Sequence, residues 1–198
     1  MRRPKADRSD PARELVPLDL VERCKRGDEA AWKELVELTH REVYTLCLRI
    51  LNDPADAAEA TQDAYLKAWR GLRGFRGDAQ FTTWLYRVAS NAAISKHRSR
   101  RRRRVYEVGA EDELLSAMPA AGSVEGTAEV RRDVEELEDA IRRLPDHYRT
   151  AVVLRDVYGM SIEEIANEMK ITETAAKVRV HRARKKLKET LQPSGETR

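Results

Sequence analysis

The sequence FRGDAQFTTWLYRVASNAAISKHRSRRRRR, residues 75–104, joins a short loop, an apolar periodic segment and a run of cations. Its apolar residues from Phe81 to Ala92 recur every three or four positions, which predicts an amphipathic helix after a loop that contains Gly77. The opposite face carries small polar side chains, and seven of the nine residues from Lys96 to Arg104 are Lys or Arg. Aromatic rings stack on bases, Asn contacts base edges and cations hold phosphates. This combination is typical of a nucleic-acid surface.

Two simpler interpretations of this stretch stay open at this level. Aromatic residues on an amphipathic helix usually pack in a core, and the spacing places Phe81 and Trp84 on the apolar side. A basic run can also be a solvated or disordered segment that binds nothing. The remainder of the chain has to distinguish these interpretations from nucleic-acid binding.

Composition and charge distribution favour an all-α protein with two small helical domains. The chain has 198 residues, of which 36% are charged, and it shows little of the alternation that strands need. Residues 18–104 hold 18 basic and 12 acidic residues, a net charge of +6, and residues 131–198 carry +2. Residues 105–130 contain six acidic residues and no Lys or Arg. We therefore expect two nucleic-acid contacts joined by a flexible acidic linker.

Several function classes find no support in the sequence. No apolar run is long enough to insert into a membrane, and no secretory leader is recognisable, so a cytoplasmic protein is expected. Cys24 and Cys47 have no ligand-like spacing and are expected to be small buried hydrophobic residues. The histidines are scattered, so neither a metal nor another cofactor is expected. No Gly-rich phosphate loop or catalytic constellation indicates an enzyme.

The N-terminal part predicts a tail and three helices before the central stretch. Residues 1–17 lack periodicity, and helical signal begins near Leu18. Asp28 is a candidate N-cap for a long second helix, whose apolar stripe, including Trp32 and Leu38, is expected to be mainly core. Asp53 followed by Pro54 starts a third helix, in which Leu66 can face inward. The third helix has a polar face, which is either solvated or an acidic docking strip for a partner's basic helix. That face consists of Asp56, Glu59, Gln62 and Asp63.

The C-terminal part predicts a helix-turn-helix. Residues 131–144 form a first amphipathic helix, and a second runs from Tyr148 to Tyr158. Ser161 with Glu164 makes a capping box for a short helix, and Thr172 caps a final helix that ends near residue 191. Two short helices around a tight turn, the second rich in cations, are typical of DNA binding. A basic surface on an ordinary bundle is the alternative.

Taken together, these motifs resemble the bacterial sigma-70 family of sigma factors, in its two-domain extracytoplasmic-function (group IV) type. Residues 56–69, DAAEATQDAYLKAW, resemble the segment that docks on the clamp helices of RNA polymerase. Residues 75–93 resemble the segment that opens and reads the minus-ten promoter element. Residues 144–187 resemble the reader of the minus-thirty-five element. The resemblance covers roughly residues 18–191 in the family's order.

The resemblance implies a domain layout and a set of partners. Residues 1–17 would be a tail, 18–104 region 2, 105–130 the linker, 131–191 region 4 and 192–198 a second tail. The partners would be the clamp helices and flap of core RNA polymerase, duplex promoter DNA and the melted non-template strand, with an anti-sigma factor as a further partner of the family. The protein would direct promoter-specific initiation without being an enzyme, in the cytoplasm and on the nucleoid when in holoenzyme.

Three sets of site residues follow from the resemblance. The core polymerase-binding set is Asp56, Glu59, Gln62, Asp63, Leu66 and Trp69. The minus-ten set is Arg76, Asp78, Phe81, Thr83, Trp84, Arg87, Asn91, Ser95 and Arg98. The minus-thirty-five set is Thr174, Lys177, Arg179, His181, Arg182 and Arg184.

One departure from the family and one alternative function accompany this interpretation. The recognition helix of the family commonly begins with Gly-Thr-Val-Lys-Ser-Arg, whereas residues 174–179 here read TAAKVR, without the glycine and the serine. The alternative is a free-standing helix-turn-helix regulator that binds DNA alone, usually as a dimer. Such a regulator needs neither a docking strip nor a melting loop.

Overall fold

The computed structural model describes residues 16–77, 80–108 and 128–192, and in these ranges the chain forms helices and no strand. The N-terminal bundle consists of α1 (Leu18–Lys25), α2 (Glu29–Leu51), α3 (Pro54–Gly71) and α4 (Phe81–Val108). A 3₁₀ turn, Leu72–Gly74, follows α3. The C-terminal bundle consists of α5 (Ala128–Arg142), α6 (Asp146–Val152), α7 (Ile162–Met169) and α8 (Glu173–Leu191). The all-α fold in two regions is confirmed.

The helix starts follow the predicted capping chemistry. Asp28 accepts a hydrogen bond from the backbone N–H of Ala31 at 3.0 Å, and Asp53 accepts one from that of Asp56 at 2.9 Å. Pro54 occupies the first turn of α3, where its missing N–H costs nothing. Between the two helices Asn52 adopts the left-handed conformation with φ 52°, which ends α2.

Small side chains on α3 let the N-terminal bundle pack closely. Alanines recur along its buried face and are in contact with the α2–α4 core, so the helix axes can approach. One polar contact lies inside this core, because the hydroxyl groups of Thr39 and Tyr65 are 2.8 Å apart. Val16 was predicted to belong to the N-terminal tail. It is instead buried against the bundle, which corrects that prediction.

The capping box of α7 is present as predicted. The hydroxyl of Ser161 accepts from the N–H of Glu164 at 3.1 Å, and the Glu164 carboxylate accepts from the N–H of Ser161 at 2.7 Å. Lys170 turns the chain with φ 52°, and Thr172 caps α8 through the N–H of Ala175 at 3.2 Å. The helix-turn-helix geometry therefore follows from local sequence signals.

Four details differ from the sequence predictions. The helix predicted over Tyr148–Tyr158 begins at Asp146 and changes to a π-helix over Val153–Val157. Residues 105–108 extend α4 and residues 128–130 belong to α5, so helices enter both ends of the predicted linker, whose remaining residues lie outside the described ranges. Leu38 and Leu66, placed in buried stripes by their spacing, are 44% and 50% exposed.

The two bundles pack against each other through one continuous apolar core. That core joins residues of α2–α4 to Leu154 and Ile165 of the C-terminal bundle. Arg149 of α6 is buried between the bundles, and its guanidinium donates to the carbonyl oxygens of Leu144 at 2.9 Å and of Ile50, in α2, at 3.2 Å. The described residues thus form a closed arrangement of the two bundles.

Candidate polymerase and promoter interfaces

One face of α4 carries most of the predicted minus-ten residues. Trp84, Arg87, Asn91, Ser95 and Arg98 follow at steps of three and four residues, which aligns them along the helix. Asn91 and Ser95 are exposed, whereas the other three are half-buried. We name this row of five side chains the α4 reading face.

The α4 reading face is in contact with α7 of the C-terminal bundle. Arg87 forms an ion pair with Glu164, and Nη2 of Arg98 donates to the backbone oxygen of Glu168 at 3.2 Å. The carboxyl group of Glu168 hydrogen-bonds the side chain of Asn91, and burial in this contact raises its pKa above the usual range. Three predicted promoter contacts are therefore engaged within the chain.

The aromatic residues at the start of α4 form a small cluster. Phe81 is 4% exposed, and its ring lies 5.6 Å from that of Phe75 and 5.5 Å from that of Trp84. Lys25 places its ammonium group 5.3 Å from the Phe75 ring centroid. The buried ring of Phe81 therefore packs against Trp84 and is not exposed for stacking on a base.

The remaining minus-ten residues lie in or beside the loop before α4. Arg76 is exposed and Thr83 is half-buried. Asp78 lies outside the described residues. The loop is turned by Gly77, whose φ of 81° favours a residue without Cβ.

The predicted acidic docking strip on α3 divides into two parts. Asp56 lies beside α4, where its carboxylate is 2.9 Å from Nη1 of Arg100 and 3.4 Å from Nζ of Lys96. Glu59 also pairs with Lys96, although its side chain is 66% exposed. Further along the helix Asp63 pairs with Lys67 at 2.6 Å, one helical turn away. The first two acids therefore pair with the basic half of α4 inside the N-terminal bundle.

The second part of the strip borders an apolar groove between α2 and α3. The groove has a volume of about 680 Å³ and is walled by aromatic rings, with Trp32 and Trp69 centroids 4.9 Å apart. Leu66 and Trp69 are 50% and 39% exposed, and exposed Gln62 lines the same groove. Sequence reasoning assigned Trp32 to the core, and its position every fourth residue with Val36, His40 and Tyr44 is the signal that was missed.

The predicted minus-thirty-five residues lie along α8, mostly in the open. Thr174, Lys177, His181, Arg182 and Arg184 are exposed, and Arg179 is half-buried. The cations among these residues contact neighbouring side chains at the protein surface. Lys177 is 3.8 Å from Glu173, Arg184 Nε donates to Asp156 at 2.8 Å, and Arg182 reaches the Tyr148 hydroxyl at 3.4 Å.

Family models and curated relatives agree with this arrangement. The model of Sigma-70 region 2 matches residues 35–103, and that of Sigma-70, region 4, matches residues 134–187. The RNA polymerase sigma-H factor of Pseudomonas aeruginosa is 37% identical over 179 residues, which cover 88% of this chain and 93% of the relative. The ECF RNA polymerase sigma factor SigW of Bacillus subtilis is 30% identical over 185 residues, covering 90% and 98%. This chain belongs to the sigma-70 family.

The protein is an RNA polymerase sigma factor of the extracytoplasmic-function type. It directs promoter-specific transcription initiation through core polymerase and is an initiation factor rather than an enzyme. The match to region 2 runs from within α2 to within α4, and the match to region 4 runs from within α5 to within α8.

Solved structures show the same fold. The sigma factor RpoE of Bartonella quintana, in complex with the anti-sigma factor NepR, matches with a TM-score of 0.60 at 24% identity, over 82% of this chain and 98% of that chain. The CnrH structure, in complex with the cytosolic domain of CnrY, matches with a TM-score of 0.54 at 21% identity, over 89% and 97%.

The two cysteines of the sigma factor lie inside the N-terminal bundle. Cys24 and Cys47 are free thiols and both are buried, as predicted. Burial raises the pKa of Cys47 to about 11, so its thiol stays protonated at neutral pH. Among residues 16–77, 80–108 and 128–192, no cluster of side chains could hold a metal ion and no helix is long and apolar enough to cross a membrane.

Proposed function

We propose that three surfaces of this sigma factor each bind a different target during initiation. The α2–α3 groove docks core polymerase, the α4 reading face and the loop before it bind the minus-ten element, and the outer face of α8 binds the minus-thirty-five element. The exposure of Leu66 and Trp69 beside the groove carries this proposal. Large apolar side chains exposed together on one surface mark an interaction site.

The groove suits the clamp helices of polymerase as its occupant. Its aromatic walls offer apolar area, Gln62 lines one edge, and the half-buried Asp63 follows it on α3. An amphipathic helix can lay its apolar face into such a groove while basic residues meet the acidic edge. Asp56 and Glu59 join this contact only if they exchange Lys96 for a cation of the polymerase.

The two proposed DNA surfaces carry side chains of the types that bind bases and phosphates. On α4 the row from Trp84 to Arg98 offers a ring for stacking, an amide for a base edge and cations for phosphates. Arg76 and Thr83 border the place where a flipped base of the non-template strand would lie, and Asp78, outside the described residues, is assigned to the same contact from the sequence alone. On α8 Lys177, His181 and Arg182 would enter the major groove, with Arg179 and Arg184 on the backbone and Thr174 at the helix start.

The domain layout, location and further partners complete the proposal. Residues 18–104 act as region 2 and residues 131–191 as region 4, with 105–130 as the linker between tails 1–17 and 192–198. The flap of polymerase holds region 4. An anti-sigma factor is a further partner, as for the similar RpoE structure, which holds the anti-sigma factor NepR. The protein acts in the cytoplasm and on the nucleoid when in holoenzyme.

The docking proposal is tested by truncating the groove. Burying the exposed part of each side chain contributes about 1.4 kcal/mol, so Leu66→Ala with Trp69→Ala is expected to weaken core polymerase binding by about 100-fold. Leu38→Ala is the matched control, because Leu38 is also exposed but does not line the groove. Binding of each variant to labelled core polymerase is measured by titration. Equal affinity of the groove variant and the control would refute this docking surface.

A further inference from the structure

The basic half of α4, residues 95–104, reads SKHRSRRRRR and contains no apolar side chain. Among the α4 side chains that the structure describes, Ile94 is the last one that is buried. Apolar packing therefore holds α4 against the N-terminal bundle only as far as Ile94. Beyond that residue, the position of Arg98 in the proposed minus-ten surface depends on polar contacts.

The start of α3 supplies three carboxylates to the basic half of α4. The carboxylate of Asp56 lies 2.9 Å from Nη1 of Arg100 and 3.4 Å from Nζ of Lys96. Arg100 is also 3.6 Å from Asp53, and Lys96 also pairs with Glu59. Asp56 is thus the carboxylate that joins both cations to α3.

We propose that Asp56 is a positioning residue for promoter binding rather than a contact for polymerase. Through Lys96 and Arg100 it holds the basic half of α4 against α3. Ser95 and Arg98 project from a different side of the helix, because residues one or two positions apart do not share a face. The inference rests on the proposed role of α4 in binding the minus-ten element.

Burial separates Asp56 from the acids that a partner protein can reach. Its side chain is 17% exposed, whereas the side chains of Asp63 and Glu59 are 50% and 66% exposed. The backbone of Asp56 is also fixed, because its N–H donates to the carboxylate of Asp53 at 2.9 Å in the first turn of α3. A short side chain on a capped helix start gives up little freedom when it pairs with a cation.

The sequence of α4 makes such a support necessary. Residues 100–104 are five consecutive arginines, and like charges one turn apart destabilise a helix. Carboxylates from α3 offset this repulsion at its first member, Arg100. The pairs are partly buried, so salt screens them less than it screens exposed pairs. Asp56 is therefore suited to keep the basic half of α4 in one direction at physiological salt.

The test compares Asp56→Asn with two matched variants. Asp56→Glu keeps the negative charge, and Glu37→Gln removes an exposed acid of α2 that lies outside the three proposed surfaces. Affinity for labelled core polymerase is measured by titration. Affinity for promoter DNA is then measured with saturating core polymerase, on a duplex that the parent holoenzyme has selected from a random-sequence library.

We expect Asp56→Asn to bind core polymerase within about two-fold of Glu37→Gln, and to bind the promoter about five-fold more weakly, a loss of about 1 kcal/mol. Asp56→Glu should recover most of this loss. Unfolding of α3 would weaken core binding as well, since α3 also forms the docking groove. Positioning is overturned if Asp56→Asn weakens core binding as much as promoter binding, or if it leaves promoter binding unchanged.

A combined variant shows whether Asp56 acts through the two cations. In a chain that carries Lys96→Gln and Arg100→Gln, adding Asp56→Asn should change promoter affinity by less than about two-fold, because its partners are already absent. A further five-fold loss in that chain would mean that Asp56 acts independently of Lys96 and Arg100, and would overturn the proposal.

Arg98→Ala in the same promoter assay separates this inference from the proposed function. If Arg98→Ala leaves promoter affinity unchanged, the assignment of α4 fails, and the positioning role of Asp56 fails with it. If Arg98→Ala weakens promoter binding while Asp56→Asn does not, the assignment of α4 stands and positioning by Asp56 is refuted.

Discussion

Two basic helices of this sigma factor, α4 and α8, have similar sequences of cations but very different surroundings. On α4, Arg87, Lys96, Arg98 and Arg100 are each bonded to a group elsewhere in the chain. On α8, Lys177 remains 63% exposed beside Glu173 on its own helix. A solvent-exposed pair of this kind is worth less than about 1 kcal/mol. Lys177 is therefore available to DNA at little cost and Arg184 only after leaving Asp156, whereas all four of these α4 cations must first be released.

The difference shows that charge in the sequence does not measure charge available for binding. The partners of the α4 cations come from two sources. Asp53 and Asp56 of α3 lie in the same bundle, and Glu164 and Glu168 belong to the other bundle. Opening of the two bundles frees only the second group. The order in which the α4 cations reach promoter DNA would then depend on whether the carboxylates of α3 or the glutamates of α7 are displaced first.

The largest expected effect comes from removing the buried arginine between the bundles. Arg149→Ala leaves the carbonyl oxygens of Leu144 and Ile50 without a donor and opens a cavity, so the free energy of unfolding should fall by about 3 kcal/mol. Exposed Arg143→Ala is the control. Denaturant titration should show a single transition in the parent chain, because one apolar core joins the bundles. Two transitions in the parent chain would break the comparison, since α4 and α8 would then be uncoupled.

A medium effect should distinguish the two helices directly. Without polymerase, Lys177→Ala should weaken binding to a minus-thirty-five duplex, and the slope of log affinity against log salt should fall by about 0.9. Arg98→Ala should leave minus-ten oligonucleotide binding by the chain alone within about two-fold, yet weaken holoenzyme binding about ten-fold, a loss of about 1.4 kcal/mol. Exposed Lys188→Ala controls for general charge loss on α8. A ten-fold loss for Arg98→Ala without polymerase would show that Arg98 reaches DNA despite its contact with the backbone oxygen of Glu168.

Local sequence signals predicted much of this molecule. Capping by Asp28, Asp53, Ser161 and Thr172 depends on residues three positions apart, so the chain within one turn specifies it. The stripe of α4 was predicted for the same reason, because periodicity is local. Family resemblance then linked these elements to a known activity.

Contacts over long sequence distances were not predictable in this way. Glu164 was interpreted as a capping residue, but it also pairs with Arg87, 77 positions earlier in the chain. Trp32 was placed in the core, although tertiary packing leaves it lining a groove with Trp69. The π-helix at Val153–Val157 has no marker in the sequence. For Glu164 and Trp32 the partner lies on another helix, and spacing within one helix does not identify that partner.

The smallest effect concerns Glu168, where the contact between α7 and α4 has a pH dependence of its own. Burial raises the pKa of Glu168, while the Asn91 hydrogen bond and the cations of Arg87 and Arg98 act in the opposite direction. An acid whose pKa is raised by closure stabilises the closed state fully below its unperturbed pKa of 4.5 and loses that contribution as pH rises through the raised value. Its charge therefore opposes closure at pH 7.

Glu168→Gln should consequently bind the minus-ten oligonucleotide about two-fold more weakly than the parent chain at pH 7, the opposite direction from Glu164→Gln. The two substitutions would then change the affinity in opposite directions. Glu164→Gln removes an ion pair that forms when the bundles close and should tighten binding, whereas Glu168→Gln removes a charge that loses solvation on closure. Anisotropy titrations of both variants between pH 5 and 8 test this, with Glu163→Gln as the reference. If Glu168→Gln instead tightened binding at pH 7, the carboxylate of Glu168 would hold the bundles together by charge. Both Glu164 and Glu168 would then attract the cations of α4.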